Sequence, residues 1–191
     1  MLQHYSALKV AEQFRMLGAF YPGRIELGVG RAPGSDQLTA AAMTYPRPQM
    51  DIGLFPQMVT DLLGFIDEQM ENDHPFFEIK TQAGPSPNSI PEVWILGSSD
   101  VSARLAALLG LPFSFADFFG TTGGHGPMVA DLYRDQFRPS KYLSQPKMHI
   151  AVQALCAPSE DEARVMSRSE KWAVSIWPLC TAAISQSRIR M

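Results

Sequence analysis

The sequence predicts an α/β protein whose parallel β-sheet is connected by helices. Segments of strand length alternate along the chain with segments of helical periodicity, and such alternation is typical of strands joined by helical crossovers. The clearest strand candidate, 93–96, is a continuous apolar run, which suits a parallel strand buried on both faces. Four strands could form a small doubly wound sheet or an arc of a larger closed barrel, and periodicity alone leaves both open.

The first half of the chain is predicted to contain two helices and a strand. A helix is predicted over 6–20, where apolar residues recur at helical spacing until Pro22 and Gly23 end it. A short strand follows over 24–30. The next helix is predicted over 50–71, because an apolar stripe runs along it and its proline falls near the first turn, where proline is tolerated.

The second half continues the alternation. Gly110 is predicted to end one helix, and the capping-box pattern from Ser159 to Glu162 is predicted to begin the last. The remaining strands are predicted at 93–96, 112–116 and 149–157, and the remaining helices at 100–110, 127–138 and from 159 into the 170s. Loops are predicted at 32–49, at 72–91 with one short strand at 76–80, and at 117–126.

Composition excludes several classes of function. The 191 residues are 46% hydrophobic and 18% charged, with a formal net charge of −3 and scattered basic residues, so no nucleic-acid surface is predicted. The chain offers no apolar run long enough for a membrane span and no secretion signal, so we expect a cytoplasmic protein. The histidines and the two cysteines lack metal-ligand spacing, and no metal site is predicted; Cys156 is expected to be buried in an apolar run.

A phosphate-binding site is predicted where the strand at 93–96 meets the next helix. Gly97 lets a ligand approach the backbone, Ser98, Ser99 and Ser102 supply hydroxyl groups, and the helix N-terminus supplies unpaired N–H groups and partial positive charge. The alternative is that Ser99 or the following aspartate merely caps the helix. Sequence alone favours neither interpretation.

Arg31 strengthens the phosphate interpretation. It follows Gly30 at the carboxyl end of the strand at 24–30, and parallel strands place their carboxyl ends at one edge of the sheet, where α/β enzymes carry their sites. If the two strands are neighbours, Arg31 and the serines converge, and arginine can bind a phosphate through two parallel hydrogen bonds. The alternative is a surface arginine in a loop.

Few other side chains offer chemistry. The acidic residues Asp67, Glu68 and Glu71 are predicted to form a solvated helix face, and His149 is predicted to be structural. His4 and His125 lie near predicted strand ends, where either could face a substrate. Because the sequence has no evident acid, base or nucleophile, a redox cofactor that carries the reaction is favoured.

The sequence resembles the bacterial-luciferase-like flavin monooxygenases, in particular their single-subunit relatives that use FMN. The resemblance is carried by blocks in the same order, at 5–14, 21–34, 93–99, 102–113 and 133–140. It implies a (β/α)₈ TIM barrel with reduced FMN at its carboxyl face and phosphate contacts from Gly30, Arg31, Gly97, Ser98, Ser99 and Ser102. It also implies a small organic substrate, with electrons from a separate flavin reductase or directly from NAD(P)H.

The same resemblance predicts an incomplete barrel. Residues 1–4 look like the tail of the third barrel strand, which makes His4 a candidate catalytic residue, and the chain is expected to cover roughly strands 4 to 7. A partial barrel domain is predicted over 1–175 with a divergent tail over 176–191, as in a truncated product or fragment. Open strand edges favour a homodimer or aggregation. The alternative functions are a flavin-binding protein without catalysis and an inactive remnant.

Overall fold

The computed structural model describes residues 2–32, 34–48, 50–81, 90–118, 124–152 and 154–168. Its strands are β1 (Glu26–Gly30), β2 (Glu92–Gly97), β3 (Phe113–Ala116) and β4 (Met148–Ala151). Its helices are α1 (Ala7–Phe20), α2 (Gln37–Thr44), α3 (Phe55–Asp67), α4 (Asp100–Leu109) and α5 (Gly126–Gln136), with 3₁₀ turns at Leu2–His4 and Ile52–Leu54. Residues 160–168 are also helical.

The four strands form one parallel sheet in the order β1-β2-β3-β4. Chain order and spatial order coincide, as expected when each strand returns through a helix to lie beside its predecessor. Alternate residues of β2 and β3, including Val93, Ile95, Phe113 and Phe115, are buried in the main hydrophobic core together with residues of the helices. The α/β class with a parallel sheet is therefore confirmed.

Local signals set the helix ends, and Gly110 ends its helix as predicted. The Ser6 hydroxyl accepts a hydrogen bond from the Lys9 amide (3.2 Å) and caps α1. Gly110 ends α4 in the left-handed conformation (φ 63°), where glycine is favoured. The segment after α5 docks against this turn, because the Ser140 hydroxyl donates to the Gly110 carbonyl (2.8 Å) and the Arg138 amide donates to the Ala107 carbonyl (2.9 Å).

Two of the predicted strands were wrong in extent or kind. Residues 76–80 form turns, because the Phe76 amide donates to His74 Nδ1 (3.2 Å) and the Phe77 and Ile79 amides donate to carbonyls three residues back. The last strand ends at Ala151 and does not reach residue 157. Its partner β3 ends at Ala116, which pairs with Ala151, so no ladder continues beyond that point among the described residues.

Two further local predictions were wrong. The segment 32–49 contains α2, which begins where the Asp36 carboxylate accepts hydrogen bonds from the Leu38 and Thr39 amides (both 3.0 Å). The hydrogen bond from the Thr39 hydroxyl is the main cause that lowers the pKa of Asp36. The residues before α1 form a 3₁₀ turn, so the predicted end of a strand at His4 is a helical turn.

Of the three acidic residues predicted to form a solvated face, Glu68 and Glu71 are exposed, whereas the Asp67 side chain is largely buried. Asp67 accepts a hydrogen bond from the Tyr142 hydroxyl and pairs with Lys141 (2.6 Å). Glu68 forms an ion pair with the buried Arg15 of α1. These two side chains therefore join the end of α3 to distant parts of the chain, and only the Asp67 prediction was wrong, because its carboxylate is bound by Tyr142 and Lys141.

Cys156 is also corrected. It is exposed in the structure, because the chain has left the sheet before reaching it. Cys180 and the predicted tail over 176–191 lie outside the described residues, as do 119–123 of the predicted loop at 117–126 and the predicted end of the last helix in the 170s.

Candidate functional site at the carboxyl edge of the sheet

The carboxyl ends of β1 and β2 lie side by side. Gly30 pairs with Leu96 in the parallel register, so Arg31 and Gly97 are the next residues of neighbouring strands at one edge of the sheet. Arg31 and the serines can converge only if these two strands are neighbours, and the register confirms that they are. An arginine-bearing loop and the start of α4 therefore leave the sheet next to each other.

The turn from β2 into α4 is closely packed. A Cβ atom at Gly97 would overlap the Ser102 side chain, so the absence of a side chain at Gly97 lets the first turn of α4 lie against the end of the strand. Ser102 is buried, whereas Ser98 and Ser99 are partly exposed. The turn thus brings the three serines to the beginning of one helix.

Ser99 is the N-cap residue of α4, but its side chain makes no capping hydrogen bond. The alternative in which Ser99 only caps the helix is therefore not supported by its side-chain geometry. Asp100 is in the first turn and its carboxylate lies 3.7 Å from Arg104, so a neighbouring cation partly balances the charge it brings to the helix start. The hydroxyl and amide groups of this turn can donate hydrogen bonds to a bound anion.

Arg31 is partly exposed in the loop after β1. Within the described part of the chain its guanidinium makes no ion pair and no side-chain hydrogen bond. Its five donors are therefore available to a ligand at this edge, and a guanidinium suits bidentate binding of phosphate.

The four histidines lie in different elements of the fold. His4 is buried in the first 3₁₀ turn, which contacts α2 and α3. His125 is the N-cap residue of α5, and His74 lies 3.4 Å from Asp61. In the segments that the structure describes, no group of three His, Cys, Asp or Glu side chains could hold a metal ion.

His149 makes two side-chain contacts that were not predicted from the sequence. Its Nε2 lies 2.7 Å from the Ser114 hydroxyl on the neighbouring strand, and its ring lies 4.5 Å from that of Trp94. Ser114 pairs with His149 in the register between β3 and β4. Alternation along each strand places Ser114 and His149 on the same face of the sheet. Their contact can be predicted only when the register between the two strands is known.

A comparison with known families identifies the family of the chain. Residues 1–186 match the family described as luciferase-like monooxygenase. The chain belongs to this family. The relationship agrees with the parallel α/β architecture and with the resemblance stated from the sequence blocks.

Individual luciferase-like relatives support the assignment. A luciferase-like monooxygenase of Escherichia coli (strain K12) is 41% identical over 175 residues, which are 91% of this chain and 49% of the relative. The N-acetyl-S-alkylcysteine monooxygenase of Bacillus subtilis (strain 168) is 35% identical over 167 residues, which are 85% of this chain and 47% of the relative. The crystal structure of apo-MsnO8 superposes with a TM-score of 0.77 at 30% identity, covering 95% of this chain and 52% of that one.

The chain spans about half the length of the curated relatives that it matches. None of the helices in the described segments is both long and apolar enough to cross a membrane. The family membership rests on the half of the relatives that this chain covers.

Proposed function

We propose that this chain binds FMN and is the phosphate-binding part of a monooxygenase that uses reduced FMN and O₂ to oxygenate a small organic substrate. The proposal is carried by one juxtaposition: Arg31 follows β1 at the edge where the N-terminus of α4 follows β2. Family membership adds that proteins of this kind are monooxygenases.

The proposed phosphate contacts are Gly30, Arg31, Gly97, Ser98, Ser99 and Ser102. A phosphate dianion needs several donors and positive charge, which the guanidinium, the serine hydroxyls and the first amides of α4 would supply together. Support comes from three observations: Arg31 makes no ion pair among the described residues, the Ser99 side chain does not cap its helix, and Gly97 leaves room for Ser102. These residues fit the phosphate group of FMN.

Bound reduced flavin would supply the oxygen-activating chemistry, and the residues of this chain would bind and orient it. We propose further that the sheet is an arc of a (β/α)₈ barrel, since the relatives are about twice as long. His4 stays a prediction as the catalytic residue. Electrons would come from a separate flavin reductase or from NAD(P)H, and the B. subtilis relative makes N-acetyl-S-alkylcysteines the first substrates to test.

The test is a titration of the purified chain with FMN, followed by flavin fluorescence. We expect saturable binding, and we expect Arg31→Ala to weaken it about tenfold, equivalent to about 1.4 kcal/mol. Arg24→Ala is the matched control, because Arg24 is an exposed arginine before the other end of β1. A folded wild-type chain that does not bind FMN, or equal weakening by both substitutions, would overturn the proposed site.

A further inference from the structure

One row of residues crosses the whole sheet on the face opposite the core helices. The register pairs Gly30 with Leu96, Leu96 with Ser114, and Ser114 with His149. The row begins directly before Arg31, so it lies just beneath the edge that carries the proposed phosphate site. Residues of one row on one face share a common surface.

His149 is exposed on this face, yet its ring is held from two sides. Ser114, which is buried, lies within hydrogen-bond distance of Nε2 (2.7 Å), and the Trp94 ring packs against the imidazole at 4.5 Å. Trp94 is itself fixed, since its Nε1 donates to Glu92 (2.9 Å) and Lys147 Nζ lies 4.7 Å from its ring centroid. An exposed imidazole is thus oriented by a chain of contacts that begins at the other end of β2.

The second ring nitrogen of His149 is available. Across the described residues no hydrogen bond of Nδ1 is formed. If the Ser114 hydroxyl donates to Nε2, Nδ1 is a donor, and in the other tautomer it is an acceptor. Either tautomer therefore offers one oriented hydrogen-bonding atom on the exposed face.

The surface beside His149 is partly apolar and includes small side chains. Leu96 is 37% exposed, and Gly28 makes room for it, because a Cβ atom there would lie 2.9 Å from Leu96 Cδ1. Nearer the carboxyl edge, the side chains of the paired residues Ala116 and Ala151 are small. A partly apolar surface with a polar group beside it suits a planar heteroaromatic ring whose polar edge needs a partner.

We infer that His149, oriented by Ser114, forms a hydrogen bond with the polar edge of the flavin isoalloxazine ring. The inference rests on the proposed function and extends it from the phosphate to the other end of the ligand. β4 lies two strand spacings, about 10 Å, from β2. One extended ligand could therefore reach both contacts, with its phosphate group at α4 and its ring at His149. The ring edge carries both acceptor and donor atoms, and it can pair with either tautomer.

Comparing riboflavin with FMN distinguishes the ring contact from the phosphate contact, because riboflavin has the isoalloxazine ring but lacks the phosphate group. We expect His149→Leu to weaken the binding of FMN and of riboflavin by the same factor, about three- to tenfold. Ser114→Ala should weaken both about twofold, since the imidazole is retained but is less well oriented. Arg31→Ala should weaken FMN binding and leave riboflavin binding unchanged. His74→Leu is the matched control, and neither ligand should be affected by it.

Nuclear magnetic resonance gives a readout that does not depend on affinity. The imidazole signals of His149, assigned by their loss in His149→Leu, should shift on addition of riboflavin but not of inorganic phosphate. Flavin binding with unmoved His149 signals and an unaffected His149→Leu variant would overturn this inference and leave the proposed function intact. A wild-type chain that binds neither flavin would overturn both.

Discussion

Gly97 and Ser102 are in such close contact that a Cβ atom at Gly97 would lie 2.5 Å from the Ser102 Cβ. Real side chains essentially never approach so closely, and the Ser102 Cβ cannot swing away because it is attached directly to the main chain of α4. With serine at position 102, the end of β2 and the first turn of α4 can therefore meet only while Gly97 has no side chain. Stability and the proposed phosphate site depend on the same contact.

Gly97→Ala should lower the free energy of unfolding by about 1–3 kcal/mol, the range typical of overpacking a close contact. It should also weaken FMN binding, because α4 must move away from the strand to accommodate the methyl group. Urea unfolding and FMN titration measure the two effects. The double variant Gly97→Ala with Ser102→Gly should recover part of the lost stability, since it removes both Ser102 atoms that the methyl group meets but places a glycine in the helix at a cost of about 0.5–1 kcal/mol.

Gly124→Ala is the control for this prediction, because a Cβ atom there would meet nothing within 4 Å. We expect it to change the free energy of unfolding by less than about 0.5 kcal/mol. A Gly97→Ala variant as stable as Gly124→Ala would mean that the contact relaxes without strain.

The site was partly predictable from sequence because its residues are close in the chain. Gly97 and the serines follow one strand within six residues, and Arg31 directly follows another, so local patterns identified them before any register was known. The contact between Ser114 and His149 was not predictable in this way, since it joins residues 35 apart through the pairing of two strands. The Ser99 side chain could have capped α4, and only the structure shows that it does not.

Ser99 and Ser6 form a matched pair of N-cap serines. The Ser6 hydroxyl accepts the Lys9 amide, whereas the Ser99 side chain makes no capping bond. Ser6→Ala should therefore lower the free energy of unfolding by about 1 kcal/mol and leave FMN binding unchanged. Ser99→Ala should leave stability nearly unchanged and weaken FMN binding several-fold, by about the value of one hydrogen bond to a charged group.

Chemical denaturation measures the stability of the two variants, and fluorescence titration measures their affinity for FMN. If Ser99→Ala destabilises the chain as much as Ser6→Ala and binds FMN like the wild type, Ser99 is a helix cap and does not contact the ligand. The comparison is direct because both substitutions remove the same atom from the same helical position.

The elements of the fold were predictable where one local signal dominates. The positions of β1, β2 and β3 follow from short apolar runs, and α1 and α4 follow from their periodicity and end signals. The failures have other causes. Capping by Asp36 outweighed the loop-like composition of 32–49, and Asp67 was predicted to face solvent although its partner Tyr142 lies 75 residues away. No local pattern reports a contact of that length.

Tyr142 gives the stability of the chain a specific dependence on alkaline pH. Burial of its phenol is the main cause that raises its pKa well above the ordinary value of 10.0, and the hydrogen bond to Asp67 and the charge of that carboxylate raise it further. Because the folded form keeps a proton that the unfolded chain releases, the stabilising contribution is complete below about pH 10 and is lost as the pH rises towards the folded pKa.

Above about pH 10 the wild type should therefore lose stability with a slope of up to about 1.4 kcal/mol per pH unit from this one group. The actual slope should be smaller, because the side chain is partly exposed and solvent screens its interactions. Tyr142→Phe should be less stable than the wild type at neutral pH by about 1 kcal/mol and should lose less stability at alkaline pH. Some slope should remain, since burial also raises the pKa of Tyr133.

Urea unfolding of the wild type and the variant, at neutral pH and above about pH 10, measures the difference between the two slopes. Tyr45→Phe is the control, because Tyr45 is 83% exposed and its substitution should leave the wild-type slope unchanged. An alkaline slope in Tyr142→Phe equal to that of the wild type would show that the phenol titrates alike in the folded and unfolded chains. The contact between Tyr142 and Asp67 would then contribute nothing to the pH dependence, and the loss would have to come from Tyr133 or from other groups.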